Sequence, residues 1–329
     1  MYTHREEWNV ERLCYDDDHV QKVMSEISKN FDSYFQRFLE TEAGASITAE
    51  SFQKLQARFG VNNVTRSTNN VSSSAFQRIM KDAIIEFEKD RQDYLAIFDT
   101  DALEEYEDDA ATFKSIVLKN KCPIIRKTYA NKSAKELDKY RRDFNIADAD
   151  ELLAVVTNLT YFANEYVETM GKKEFESIGS HSELQLSLLD TSDEYTAFGV
   201  IGGGIRSMML YKFNPELFPS RSRFALWALW YLSSKKTFGC KTDSEFLMID
   251  VKKSTTQQNY FYPYELFSYY ALGVFWLLQA KANAMGAQID RYYRYVIVDA
   301  FFEYVAQEHI GEINTLTTQI RDDRGYSYA

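Results

Sequence analysis

Between Phe76 and Phe87 the apolar residues Phe76, Ile79, Met80, Ala83, Ile84 and Phe87 recur three and four positions apart, the spacing that lines one face of an α-helix. Ser74 stands where such a helix takes its N-cap. Thr48 caps a shorter helix carrying Phe52, Leu55 and Phe59, with Gly60 past its end, and Ser133 with Glu136 makes a capping box before Leu137 and Tyr140. Leu152 to Met170 repeats the helical period, and Phe224, Leu226, Trp227 and Trp230 crowd one helix from about Ser222 to Leu232. Tyr269 to Ala280 is the most apolar stretch, about a dozen residues against the roughly 18 to 20 that span a bilayer, so it predicts a buried core helix. The β signal is Glu245 to Val251, expected to pair with Tyr260 to Tyr264 across the polar Lys252 to Asn259, while Tyr292 to Val298 fits either strand or helix. The expected fold class is mainly α, a multi-helix globular protein with one small β-hairpin element.

Asn62 to Ser74 holds ten Asn, Ser or Thr in thirteen residues and reads as an exposed connector. It divides the chain into an N-terminal helical segment 1–73, an acidic helical segment 74–130, and a compact α-rich region 131–329. A content of 45% hydrophobic and 15% aromatic residues in 329 suffices for a large core and excludes disorder. Cys14, Cys122 and Cys240 are too far apart in sequence for a disulfide framework or a C-x-x-C zinc pair, and the four histidines are scattered. The charged, polar residues 1–10 lack the apolar core of a secretory signal, which predicts a cytoplasmic protein with no membrane partner.

The formal charge is −11, which disfavours phosphate partners on average. From Gly199 to Gln258, however, nine Lys and Arg face four acids, whereas Asp82 to Asp109 packs in a dozen acids. Within the basic stretch, Gly202-Gly203-Gly204-Ile205-Arg206-Ser207 precedes Met208, Met209 and Leu210 at helical spacing. Glycines there let the chain turn tightly and leave N–H groups pointing toward an anion at the positive end of the helix dipole. Arg206 falls in the first helical turn beside these amides, Arg221 and Arg223 are candidates for bidentate contacts to phosphate oxygens, and Ser207 is a further candidate phosphate ligand.

This run resembles the G-h-G-x-[KR]-[ST] turn of helix-hairpin-helix DNA-binding motifs, a likeness that continues loosely through Asn214 to Pro219 and covers under a tenth of the chain. The resemblance implies that the turn's amides hold a backbone phosphate. Two departures stand out: the middle position is Gly203 instead of an apolar residue, and Ser220-Arg221-Ser222-Arg223 occupies the place of the aspartate that glycosylases of this type carry. Phosphate binding without glycosylase chemistry is the expectation.

Asp250 and Lys252 end an apolar strand two residues apart and so share a face, in partial similarity to the strand of PD-(D/E)xK nucleases. That resemblance implies a catalytic pair, with Asp250 as ligand to Mg²⁺; otherwise no cofactor is expected. Tyr260, Tyr262 and Tyr264 are candidates for base stacking. The leading expectation is a nucleic-acid, phosphate-backbone binding protein for DNA or RNA. The alternatives are a metal-dependent nuclease and a non-enzymatic helical subunit that binds a protein partner or itself.

Overall fold

The protein is seen as a computed structural model that describes residues 14–43, 65–134, 137–239, 244–250 and 255–325. It is mainly α-helical, with 71% of residues in helices and a single two-stranded antiparallel sheet among the described residues. The chain forms two compact units. One comprises Met1–Ile85, Arg223–Asn259 and Tyr270–Ala329, and the other Glu86–Ser222 with Tyr260–Tyr269. We call them the aromatic and the acidic unit.

The aromatic unit is built from α1 (Asp17–Ala43) and the greater part of α2 (Thr65–Glu88), with other elements from the second half of the chain. No Gly or Pro interrupts Arg223–Leu232, and every residue from Ala225 to Leu232 is buried. That helix packs against Arg294–Glu308 and against α1. Phe31 lies 5.2 Å from Phe301, and Trp227 meets Trp230 edge-on at 5.5 Å. The helix stops because Ser234 and Lys235 take left-handed backbone angles, with Lys235 N–H returning to the Trp230 carbonyl at 2.9 Å. The stretch Tyr292–Val298, open to either reading, is a helical entry running into Arg294–Glu308.

Two expectations change here. The predicted connector is helical from Thr65 onward, so Ser74 lies inside α2 and does not cap it. Ser, Asn and Thr each cost a helix only about 0.5 kcal/mol against Ala, so an amphipathic run can extend through them. The hairpin joins β1 (Leu247–Asp250) to β2 (Thr255–Gln258), with Leu247 opposite Gln258 and Asp250 opposite Thr255. Tyr260–Tyr264 is therefore no strand: it turns through Pro263 and opens a helix at Tyr264. The proposed helix around Phe52 and the residues of the capping box at 135–136 lie outside the described residues.

In the acidic unit, α3 (Arg91–Leu95) and α4 (Thr100–Glu104) precede a π-helix, Phe113–Lys121, which Pro123 closes by opening α5 (Pro123–Ala130). After α6 (Asp138–Ile146), the long α7 (Ala149–Met170) forms the unit's centre. Asp148 caps α7 by accepting from the N–H groups of Asp150 and Glu151. The period of Leu152 to Met170 is visible in its buried stripe of Leu152, Val156, Leu159, Ala163, Tyr166 and Met170. The short α8 (Leu188–Thr191) and then α9 (Gly203–Phe213) follow. The unit also takes the first six residues of α10 (Tyr264–Ala284), whose remainder belongs to the aromatic unit.

Candidate functional site

The glycine run forms the N-terminus of α9. Gly202 is its N-cap, with extended backbone and no side chain to satisfy the first amides, and Arg206 N–H makes the first bond back to Gly202 at 2.9 Å. The N–H groups of Gly203, Gly204 and Ile205 are thus the donors an α-helix leaves without intrahelical partners. The three glycines are not equivalent. A methyl group at Gly202 or Gly204 would meet nothing within 4 Å, so the space above both is open. At Gly203 it would fall 1.7 Å from Nη2 of Arg221. Gly203 therefore admits a guanidinium against the helix backbone, a role that its departure from an apolar residue fits.

Arg206 and Arg221 are each 5% exposed. Their head groups face inward, contrary to the expected direct contact with a ligand, because each finds carbonyl or carboxylate partners inside the unit. Arg221 Nη1 donates to the Tyr262 carbonyl, and Nη2 to the Tyr260 carbonyl at 3.1 Å. Arg206 donates to Thr196 Oγ1 at 3.0 Å and lies 3.7 Å from Asp190. Ser207 is buried too: its hydroxyl accepts from Arg221 N–H at 3.1 Å and donates to the Gly204 carbonyl at 3.0 Å, tying the turn to the Arg221 segment. Arg223 is exposed and stacks over Phe224 at 5.7 Å.

Asp190 is the residue that holds this cluster together, and no local sequence pattern announces it. Its two carboxylate oxygens accept from Tyr264 N–H at 2.8 Å and Glu265 N–H at 3.1 Å, which caps α10 from a distant part of the chain. Burial pushes its carboxyl above the usual range, against the pull of those two amides and the two arginines. Burial likewise lowers both guanidinium groups, Arg221 to about 10, with Arg206 adding repulsion and Asp190 opposing it. Two guanidinium groups and a helix N-terminus thus face one carboxylate. Two buried guanidinium groups against one carboxylate leave a local balance of one positive charge beside the glycine turn, in a unit that has 17 Lys and Arg against 27 Asp and Glu.

Among the described residues, three other cations of the basic stretch are paired. Lys212, 7% exposed, meets Asp90 at 2.8 Å, Lys235 reaches Glu312 at 2.6 Å and Lys236 reaches Glu26 at 2.7 Å. Of the aromatic candidates, Tyr262 and Tyr264 are each 1% exposed and unable to stack a base, with Tyr264 Oη donating to the Pro219 carbonyl at 2.8 Å. Tyr260 is 53% exposed. Asp250 lies on β1, but its side chain is outside the description, as are Lys252, Lys253 and Lys241. Among the described residues no group of three His, Cys, Asp or Glu is placed to share a metal ion, and no helix is long and apolar enough to cross a membrane.

Comparison of the chain with family models, with curated proteins and with solved structures finds no match in any of the three.

Proposed function

We propose that the chain binds the phosphate backbone of a nucleic acid at the N-terminus of α9, through main-chain amides and not through arginine side chains. The observation that carries this reading is the unequal pair of glycines. Open space lies over Gly204, while beside it Arg221 is packed onto Gly203 with its Nε free of any hydrogen bond. A phosphate oxygen seated over Gly204 would meet helix amides, with buried positive charge behind them. The arginines act at a distance, raising the affinity of the amides for an anion. Tyr260 is the aromatic residue left to stack on an adjoining base. No cofactor enters this reading.

Glycine-labelled amide NMR tests it with a short oligonucleotide as titrant. The account expects the resonances of Gly202, Gly203 and Gly204 to shift together and saturably, with Gly171 and Gly286 unmoved. Uniform small shifts of all glycines, or none, would sink it.

A second reading, a helical subunit that binds a protein, draws on a different feature. Phe198 and Gly199 occupy the centre of a tight turn in which Val200 N–H returns to the Ala197 carbonyl at 2.9 Å, and Gly199 has φ +83°. The turn leaves Phe198 73% exposed; Asp143 packs against Gly199, and Ile146, one helical turn on, is 82% exposed. Phe198→Asp would abolish partner capture under this reading and leave oligonucleotide binding intact. The nuclease alternative requires Lys252 and a Mg²⁺-binding Asp250. Cleavage of DNA dependent on Mg²⁺ and lost in Asp250→Ala would establish it.

A further inference from the structure

A cavity of about 240 Å³ opens in the acidic unit among α3, α4, the π-helix and α5. Its lining divides by chemistry. Ile97, Leu103, Phe113 and Val117 are buried and make an apolar floor, while Asp93, Lys121 and Arg126 are exposed and form the rim. The volume falls below the roughly 300 to 1,000 Å³ of pockets for drug-sized ligands and is several times the ~30 Å³ of one water. A molecule of amino-acid size suits it.

The rim has both signs of charge, and its groups are only loosely engaged. Arg126 Nη2 is 4.0 Å from Asp93 Oδ2, beyond hydrogen-bond reach, and Nη1 makes a 3.3 Å bond to the Asn120 carbonyl. The Lys121 side chain makes no hydrogen bond or ion pair among the described residues. A simple carboxylate would set its charge beside Asp93, and a simple amine would set its own beside two cations. A zwitterion answers all three groups, its carboxylate toward Arg126 and Lys121 and its ammonium toward Asp93. The backbone adds a second observation: the nine-residue π-helix that supplies Phe113, Val117 and Lys121 is a rare conformation, and π segments recur at functional sites.

We infer that this cavity binds a free α-amino acid with an apolar side chain, the side chain on the Ile97–Val117 floor and the charged groups at the Asp93, Lys121 and Arg126 rim. This site is independent of the phosphate reading. Calorimetric titration of the full chain with L-leucine and L-phenylalanine tests it, alongside 4-methylpentanoate, which lacks the ammonium, and 3-methylbutylamine, which lacks the carboxylate. The expected result is saturable binding of an amino acid, weakened at least about tenfold for both single-charge analogues and by Arg126→Ala. Ala102→Trp, which fills the cavity, should abolish it. Should that variant fail to fold, Arg126→Ala carries the test, because its side chain is 47% exposed. No saturable heat with either amino acid at millimolar concentrations, equal binding of an analogue, or affinity that survives both variants would overturn the assignment.

Discussion

The aromatic unit, with 21 Lys and Arg against 22 Asp and Glu, is close to neutral, and among the described residues it buries one cation, Arg294, stacked over Phe275 at 5.1 Å. The acidic unit, with ten more acids than bases, buries three among its described residues: Arg206, Lys212 and Arg221. Each of its three meets carbonyls or a carboxylate. Lys212 donates to the Phe87 carbonyl and pairs with Asp90, and Arg91 in turn donates to the carbonyls of Lys212 and Phe213 that end α9. The aromatic unit adds to its ring packing the buried Arg294 and a buried His19–Glu245 contact at 3.2 Å, and the acidic unit adds a larger set of desolvated charges around one helix. Those charges surround both ends of α9, so the electrostatics that hold the acidic unit together are the same that would bias its helix toward an anion.

Breaking that set should have the largest effect. Asp190→Ala removes both amide caps of α10 and the carboxylate that pairs with Arg206, leaving buried positive charge uncompensated, and should cost about 3 to 5 kcal/mol in urea unfolding. Trp227→Ala in the aromatic unit should cost a similar ~3 to 5 kcal/mol through lost packing, and that loss should be independent of salt. A salt-insensitive loss below about 1 kcal/mol for Asp190→Ala would erase the contrast between the units.

Adjacent glycines sharpen it. Gly203→Ala forces the Arg221 guanidinium away from the helix and should cost about 1 to 3 kcal/mol, whereas Gly204→Ala enters open space and should be neutral or stabilising by up to about 1 kcal/mol. Equal effects at the two positions, measured by thermal melting, would contradict the packing assigned to Arg221.

A smaller separation is expected in acid. Hydrogen bonds from Lys236 and Ser234 lower the Glu26 carboxyl to about 2, so its contribution is present above the ordinary value of 4.5 and fades as pH falls toward 2. Asp190 has the opposite sign: burial raises its carboxyl, so its contribution is complete below the unfolded value and declines as pH rises through the folded one. Glu26→Gln should therefore flatten the acid limb of stability between about pH 4.5 and 2, and unchanged curvature there would refute the assigned pair.

The helices were legible in the sequence wherever one buried stripe repeats, as in Leu152 to Met170, because burial on one face leaves a period. Thr65 to Ser74 was not, since weak helix formers give no stripe and helix extension overrides their local preference. The hairpin's first strand was foreseen and its partner was not: Thr255 to Gln258 is polar and pairs through its backbone, while the aromatic Tyr260 to Tyr264 runs through a turn into a helix start that buries Tyr262 and Tyr264 and leaves Tyr260 and Phe261 exposed. At the candidate site, the glycine turn was visible as a turn. That Arg206 and Arg221 point inward was not visible, because their partners Asp190, Thr196 and the Tyr260 and Tyr262 carbonyls come from other parts of the chain. The cavity rim is similarly dispersed from Asp93 to Arg126, and no spacing rule marks a π-helix.

The central claim, that amides at the α9 N-terminus hold phosphate with buried arginines behind them, is tested most directly by fluorescence anisotropy. Labelled single- and double-stranded DNA and RNA would be titrated across a salt series with the unaltered chain and with Gly204→Asp, a change that fits the open space but sets a negative charge over the amides. The account predicts binding whose logarithm falls linearly with log salt at a slope of about one per phosphate held, and its loss in a Gly204→Asp protein that melts as before. Binding indifferent to Gly204→Asp, or none by the unaltered chain at low salt, would contradict it.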